Sequence, residues 1–214
     1  CRSADAIIEG YRPGVMERLG LGPDVLIADN PALVYGRITG WGQDGPLAHA
    51  AGHDINYIAI NGVLHTIGRQ GGKPTPPVNY VGDFGGGGML LAFGMVAALL
   101  AVKNGAAGQV VDAAMVDGSA LLASMVWQLK GAGIWDERTG ANWLDSGAHF
   151  YDTYACADGR FVAFGSIEPQ FYALLRQMLG VADDRDFDAQ MDRAAWPALK
   201  SRVAAIIATR TRAQ

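Results

Sequence analysis

The feature that most limits the fold is an apolar run over residues 89–102, fourteen residues broken only by Gly94. A helix that is apolar all round must be buried on every side, so it needs a body large enough to surround it. Fourteen residues are short for a membrane span and right for a core helix. The rest of the chain can supply that body: of 214 residues, half are apolar and 18 % are charged, a globular balance. A formal net charge of −4 provides no bulk attraction for nucleic acid or an anionic membrane, and neither is expected as a partner. A local basic site for a phosphorylated ligand stays open. The two cysteines, Cys1 and Cys156, make neither a disulfide framework nor a metal-ligand cluster, so no metal site is expected and the expected setting is the reducing cytoplasm.

Glycine and proline punctuate the chain. They place a loop over 9–14, then a short helix over 15–19 that Gly20 ends, and a second helix over 23–28 that Pro23 opens. Residues 32–39 read as a strand, and 40–46 as another glycine-rich loop. Apolar spacing predicts a helix over 54–66, with a Gly/Pro loop over 68–77 behind it. A short stretch, 78–81, then leads to Gly82-Asp83 and four glycines, 85–88, and the apolar helix follows those glycines. Further on come a strand over 109–112, a helix over 114–131, a hairpin over 152–164 around Asp158-Gly159, and helices over 168–179 and 194–208. Strand–helix alternation followed by a hairpin and helices predicts an α/β body, residues 1–140, and a smaller α+β part, residues 141–214. The chain opens without Met or a signal peptide and stops without a clear cap, so it reads as an internal stretch of a longer protein.

Three places combine a titratable residue with unusual backbone chemistry. His53, in Gly52-His53-Asp54-Ile55-Asn56-Tyr57, stands at a predicted helix start. The positive helix end disfavours an imidazolium and leaves a neutral ring able to accept a proton. The same residue could equally cap or pack the helix. Asp83 precedes the glycine run, whose backbone N–H groups at Gly85 and Gly86 would lie open to a ligand and could stabilise an enolate or oxyanion. The alternative is an N-cap aspartate with glycines for close helix packing. Glu168 opens a helix after a strand, which suits a plain first-turn charge as well as a site residue. Arg12 and Arg18 lie near loop and helix ends and suit phosphate, or else solvent. Met89, Met95, Met115 and Met125 could line an adaptable acyl pocket or fill the core. No nucleophile elbow, phosphate-binding P-loop or metal-binding histidine pair occurs.

Several segments together resemble one family. Glu9-Gly10-Tyr11-Arg12-Pro13-Gly14 and the following Val15-Met16-Glu17-Arg18-Leu19-Gly20-Leu21 resemble an early segment of the CoA-transferase superfamily that contains formyl-CoA and carnitine-CoA transferases. The segment from Arg37 to Pro46 is similar to the next shared one. The run from Gly52 to Tyr57 is similar to the α-methylacyl-CoA racemase branch. Gly82-Asp83-Phe84-Gly85-Gly86-Gly87, the segment from Val111 to Ser119, and Ile167-Glu168-Pro169-Gln170-Phe171-Tyr172 follow in that branch's order.

The resemblance implies a Rossmann-like large-domain portion followed by a smaller α+β domain, from a longer chain that forms interlocked homodimers. It implies inversion at C2 of a 2-methylacyl-CoA thioester, with coenzyme A carried by the substrate and no separate cofactor. His53 and Asp83 would be the acid/base pair, and Glu168 would support His53. Arg12, Arg18, Gly52, Asp54, Ile55, Asn56 and Tyr57 would contribute to CoA binding, and Tyr151 to an acyl surface. A CoA transferase of the same fold would instead use Asp83 as nucleophile through a mixed anhydride. His53 favours the racemase branch, because transferases generally lack it. A noncatalytic CoA-binding subunit would keep the fold and lose the acid/base set.

Overall fold

The computed structural model describes residues 3–214, so Cys1 lies outside the described part. Residues up to His65 together with Pro76–Leu129 form one compact unit, and Thr66–Thr75 with Lys130–Gln214 form a second. The sequence places the division at 140. The structure puts it eleven residues earlier, after Leu129, and assigns the Gly/Pro-rich loop to the second unit.

The first unit is built on a parallel sheet of β1 (Ala6–Glu9), β2 (Val34–Thr39) and β3 (Val110–Ala114), in that spatial order. In the register Ile8 pairs with Gly36 and Gly36 with Val111. The central strand is covered on both faces, and Val34 and Tyr35 are fully buried. Parallel strands need crossovers, and the chain supplies them as helices. Between β1 and β2 lie α1 (Val15–Arg18) and α2 (Pro23–Asp29). Between β2 and β3 lie α3 (Asp54–Ile60) and a long helix, whose last part is α4 (Leu90–Lys103). α5 (Met115–Leu122) follows β3 directly, and α6 (Ser124–Gly131) follows it after a break at Ala123.

Two predicted helices are cut. The helix expected over 54–66 ends at Ile60, because Gly62 turns left-handed at φ 81°, and a 3-10 turn covers Val63–Thr66. The helix expected over 114–131 is two helices.

The larger correction concerns the glycine run. Residues Tyr80–Met89 are helical, in the wide π form, and continue into α4 as one 24-residue helix. That length and composition would suffice to cross a membrane. Glycine here serves approach, not looseness. A Cβ on Gly118 of α5 would strike the carbonyl oxygen of Gly86, and a Cβ on Gly86 would strike the backbone of Ser119. Two helices meet backbone to backbone at that point. The N–H groups expected to stay open at Gly85 and Gly86 lie within a hydrogen-bonded helix, whose first long bond runs from Phe84 N–H to Asn79 O at 3.3 Å.

The second unit holds the antiparallel hairpin β4 (Tyr151–Ala155) and β5 (Phe161–Gly165), followed by α7 (Pro169–Leu179) and α8 (Trp196–Ile207). Its core contains Phe150, Tyr172, Phe187, Trp196, Leu199 and Val203. The two units together make the expected α/β body and α+β part.

His149 is fully buried in this second core, edge-on to Phe150 and Phe187. Tyr172 donates its hydroxyl proton to Phe187 O at 3.0 Å, which leaves that hydroxyl to accept from His149 Nε2–H at 2.7 Å. Nδ1 has no hydrogen-bond partner among the described residues, so a second ring proton would be buried unpaired. Burial, with Lys200 adding to it, pushes the imidazole from 6.5 down to about 4. The unfolded chain therefore binds this proton first as pH falls. The associated stability is fully present above pH 6.5 and is lost as pH falls toward 4. Its full size is on the order of 3 kcal/mol. Urea unfolding from pH 7 to 4 should show wild type losing stability relative to His149→Phe. A difference that stays flat would show that the fold does not hold His149 neutral.

Candidate active site

Ligands of open parallel sheets bind outside the carboxyl ends of the strands. Here those ends are Glu9, Thr39 and Ala114, and a cleft of about 300 Å³ opens beside them. Its walls are residues 10–13 after β1, 38–41 at the end of β2, 50–53 before α3, and the side chains of Tyr57 and Met115. Arg12 and His53 are therefore brought to one cleft. Arg18, in the last turn of α1, is exposed and is not among the residues lining it.

The loop after β1 is held from below. Glu9 is 5 % exposed; its Oε1 accepts from Arg37 Nε at 2.8 Å, and its Oε2 accepts from Tyr11 N–H at 2.7 Å. Arg37 also donates through Nη1 to Glu17 of α1 at 2.8 Å. One buried ion pair thus fixes the wall that carries Arg12.

α3 carries the other side. His53 is its N-cap, in extended backbone, with an exposed side chain. The His53 N–H donates to Asn56 Oδ1 at 3.0 Å, and His53 O accepts from Asn56 N–H at 2.8 Å, so Asn56 closes the first turn locally. The Tyr57 hydroxyl donates to Gly52 O at 2.6 Å, and its ring meets Trp41 edge-on at 4.7 Å. These contacts fix Gly52 directly before His53. Ile55 is exposed at 42 %, facing away from the core. At the far end of α3, Asn61 Nδ2 donates to Val116 O and to Ser119 Oγ, which ties the helix to α5.

Asp83 lies in the first turn of the π-helical segment and is partly buried. Burial raises its carboxyl above the usual range. The nearby Asp54 charge raises it further, while Asn79 and His53 pull it down. Burial, with the charges of Asp83 and Asp54 adding to it, raises the Tyr57 hydroxyl. His53 and Asp83 are thus electrostatic neighbours, and Asp83 can keep its proton at a higher pH than an ordinary carboxyl. Asn79, four residues before Asp83 and 3.5 Å from it, was not singled out by sequence. Its spacing matches one helical turn, but only a helix there makes that spacing meaningful.

The remaining candidates are divided. Glu168 is the exposed N-cap residue of α7 in the second unit. Tyr151 opens β4 and lines a separate cleft of about 670 Å³ within that unit, with Asp152 and Phe164. Of the methionines, Met95 is buried in the core of the first unit, Met115 lines its cleft, and Met89 and Met125 are exposed. Among the described residues, no group of three or more His, Cys, Asp or Glu side chains is placed to hold a metal ion.

The sequence matches CoA-transferase family III over residues 1–214. The chain belongs to that family. Two similar relatives are named alpha-methylacyl-CoA racemase. The protein from Mus musculus is 48 % identical over 214 residues, and the one from Homo sapiens is 46 % identical over the same length. Each match covers 100 % of this chain and 56 % of the relative, so the chain spans about half the length of these family III proteins. A Mycobacterium tuberculosis protein named a probable fatty acyl-CoA transferase has a similar crystal structure. The TM-score is 0.77 at 28 % identity, covering 99 % of this chain and 56 % of that one. This family III chain therefore has sequence relatives with racemase names, and it shares its fold with a relative that has a transferase name.

Proposed function

We propose that the protein inverts C2 of 2-methylacyl-CoA thioesters by 1,1-proton transfer between His53 and Asp83. The observation that supports this reading is the adjacency of the two residues: Asp54, directly after His53, accepts from the Asp83 N–H at 2.9 Å. His53 is exposed at the start of α3, and Asp83 is a neighbouring carboxyl raised by burial and by Asp54. A thioester acidifies its α-proton. One residue takes that proton from one face, the C–H electron pair passes into the enolate, and the other residue returns a proton to C2 from the opposite face. The two isomers exchange the roles. A base that must also act as an acid near neutral pH gains from a raised carboxyl pKa, which suits Asp83. Arg12, with Gly52, His53 and Tyr57, would receive the CoA portion in the cleft at the strand ends. The reading needs no cofactor beyond the CoA that the substrate carries.

The same reading takes the protein as a homodimer. Phe84, Phe93, Val96 and Leu100 are 59–74 % exposed along one long helix, an apolar stripe that a second copy would cover.

A transferase reading is favoured by the family and by its transferase-named member. In it, the Asp83 carboxylate attacks the thioester carbonyl and expels CoA thiolate, leaving a mixed anhydride. Chiral analysis separates the two readings. Inversion of (2R)-2-methylacyl-CoA with solvent hydrogen entering C2 supports the racemase. Trapping of an Asp83 acyl group by hydroxylamine, with no inversion, supports the transferase.

A further inference from the structure

The Asp54 side chain makes contacts that the proton-transfer reading does not use. It is 4 % exposed, and its Oδ2 accepts from two consecutive backbone N–H groups, Gly82 at 2.6 Å and Asp83 at 2.9 Å. Those groups belong to the first turn of the helix that begins at Tyr80, where N–H groups lack a partner inside the helix. Asn79, at the N-cap, makes no side-chain cap bond. A carboxylate from another helix caps this one instead, at the end where negative charge is favoured. Oδ1 is buried with no hydrogen-bond partner among the described residues, so the charge is not shared further. A Cβ on Gly82 would come within 2.8 Å of Oδ2, so the clamp closes only around glycine.

Asp54 is also the first residue of α3, directly after His53. One side chain therefore joins the two helix starts that carry His53 and Asp83. We infer that Asp54 is a positioning residue for this pair: its carboxylate fixes the separation of His53 from Asp83 and sets a negative charge behind Asp83. The inference rests on the proton-transfer reading for its kinetic consequences and is independent of that reading for its structural one. The groups acting on Asp83 are Asp54 and His53 from the α3 side and Asn79 from its own helix. The one ionisable side chain of α5, Asp117, acts on Asp112.

The test uses the full-length protein with Asp54→Asn and Asp54→Ala. Asparagine keeps an acceptor for both N–H groups and removes the charge. Hydrogen exchange at the Gly82 and Asp83 amides should stay slow in Asp54→Asn and become fast in Asp54→Ala. With (2R)- and (2S)-2-methylacyl-CoA, Asp54→Ala should lower kcat about 100-fold, the scale of a misplacement near 1 Å, with KM little changed. In the direction where Asp83 acts as base, the acid limb of the pH profile should move to lower pH in Asp54→Asn. Wild-type amide protection in Asp54→Ala would overturn the clamp, and an unmoved limb in an active Asp54→Asn would overturn the electrostatic part. If wild type neither exchanges nor inverts substrate, the functional reading fails, and amide protection alone decides the clamp.

Discussion

In the full-length protein, Asp83→Asn and His53→Gln should each lower racemisation by about 10²–10⁴-fold, the usual worth of a positioned acid or base. The more telling result is what each variant keeps. Each residue serves one face of C2, so a variant that retains one base can still remove the α-proton from the isomer presenting it to that base. It then lacks a donor on the opposite face. Asp83→Asn should therefore exchange the α-proton of one enantiomer, His53→Gln that of the other, each much faster than it inverts either one. Separate exchange measurements on the pure R and S thioesters check this. Loss of exchange from both enantiomers in one variant, with full activity in the other, would mean that a single residue does the chemistry.

The largest stability effect is expected at Arg37→Met. Arg37 is 6 % exposed, and its partner Glu9 is 5 % exposed. Removing the guanidinium leaves a buried carboxylate that keeps only the Tyr11 N–H. Breaking a buried pair from one side costs about 3–5 kcal/mol, a large share of a domain's stability. Replacing both partners, Arg37→Met with Glu9→Gln, removes the stranded charge and should recover most of the loss. Urea unfolding of the two variants measures it. A single variant within about 1 kcal/mol of wild type, the range of an exposed pair, would show that the pair is not isolated from water. Because Glu9 also holds the Tyr11 backbone, the single variant should weaken CoA binding in the cleft as well.

Local signals carried much of this architecture. The strand around Tyr35 and Gly36, the start of α3 at Asp54, the hairpin near Gly159 and the opening of α7 after Glu168 follow from β-forming composition, caps and turn residues. The glycine run misleads for a physical reason. Glycine favours loops when nothing surrounds it, and only the backbone of Gly118 and Ser119, more than thirty residues onward, makes a helix of glycines the closest fit. The stop after Ile60 has a signal in Gly62, a residue suited to positive φ, but the apolar spacing that predicts a helix to residue 66 runs straight through it. Neither the membership of Thr66–Thr75 in the second unit nor the division after Leu129 has a local signal, since both depend on contacts far along the chain. Asp54 could be singled out by resemblance, but not its clamp. Its partners are backbone N–H groups 28 and 29 residues away, and backbone leaves no trace in side-chain identity.

Proton movement at C2 can be measured directly. The direct measurement incubates full-length protein with enantiopure (2R)-2-methylacyl-CoA in deuterium oxide. Mass spectrometry counts deuterium at C2 while chiral analysis follows the S isomer. One solvent deuterium is expected in the S product, with incorporation abolished when His53 and Asp83 are replaced together. Retained protium at C2, with CoA passing to an added carboxylic acid, would contradict it and assign Asp83 to acyl transfer.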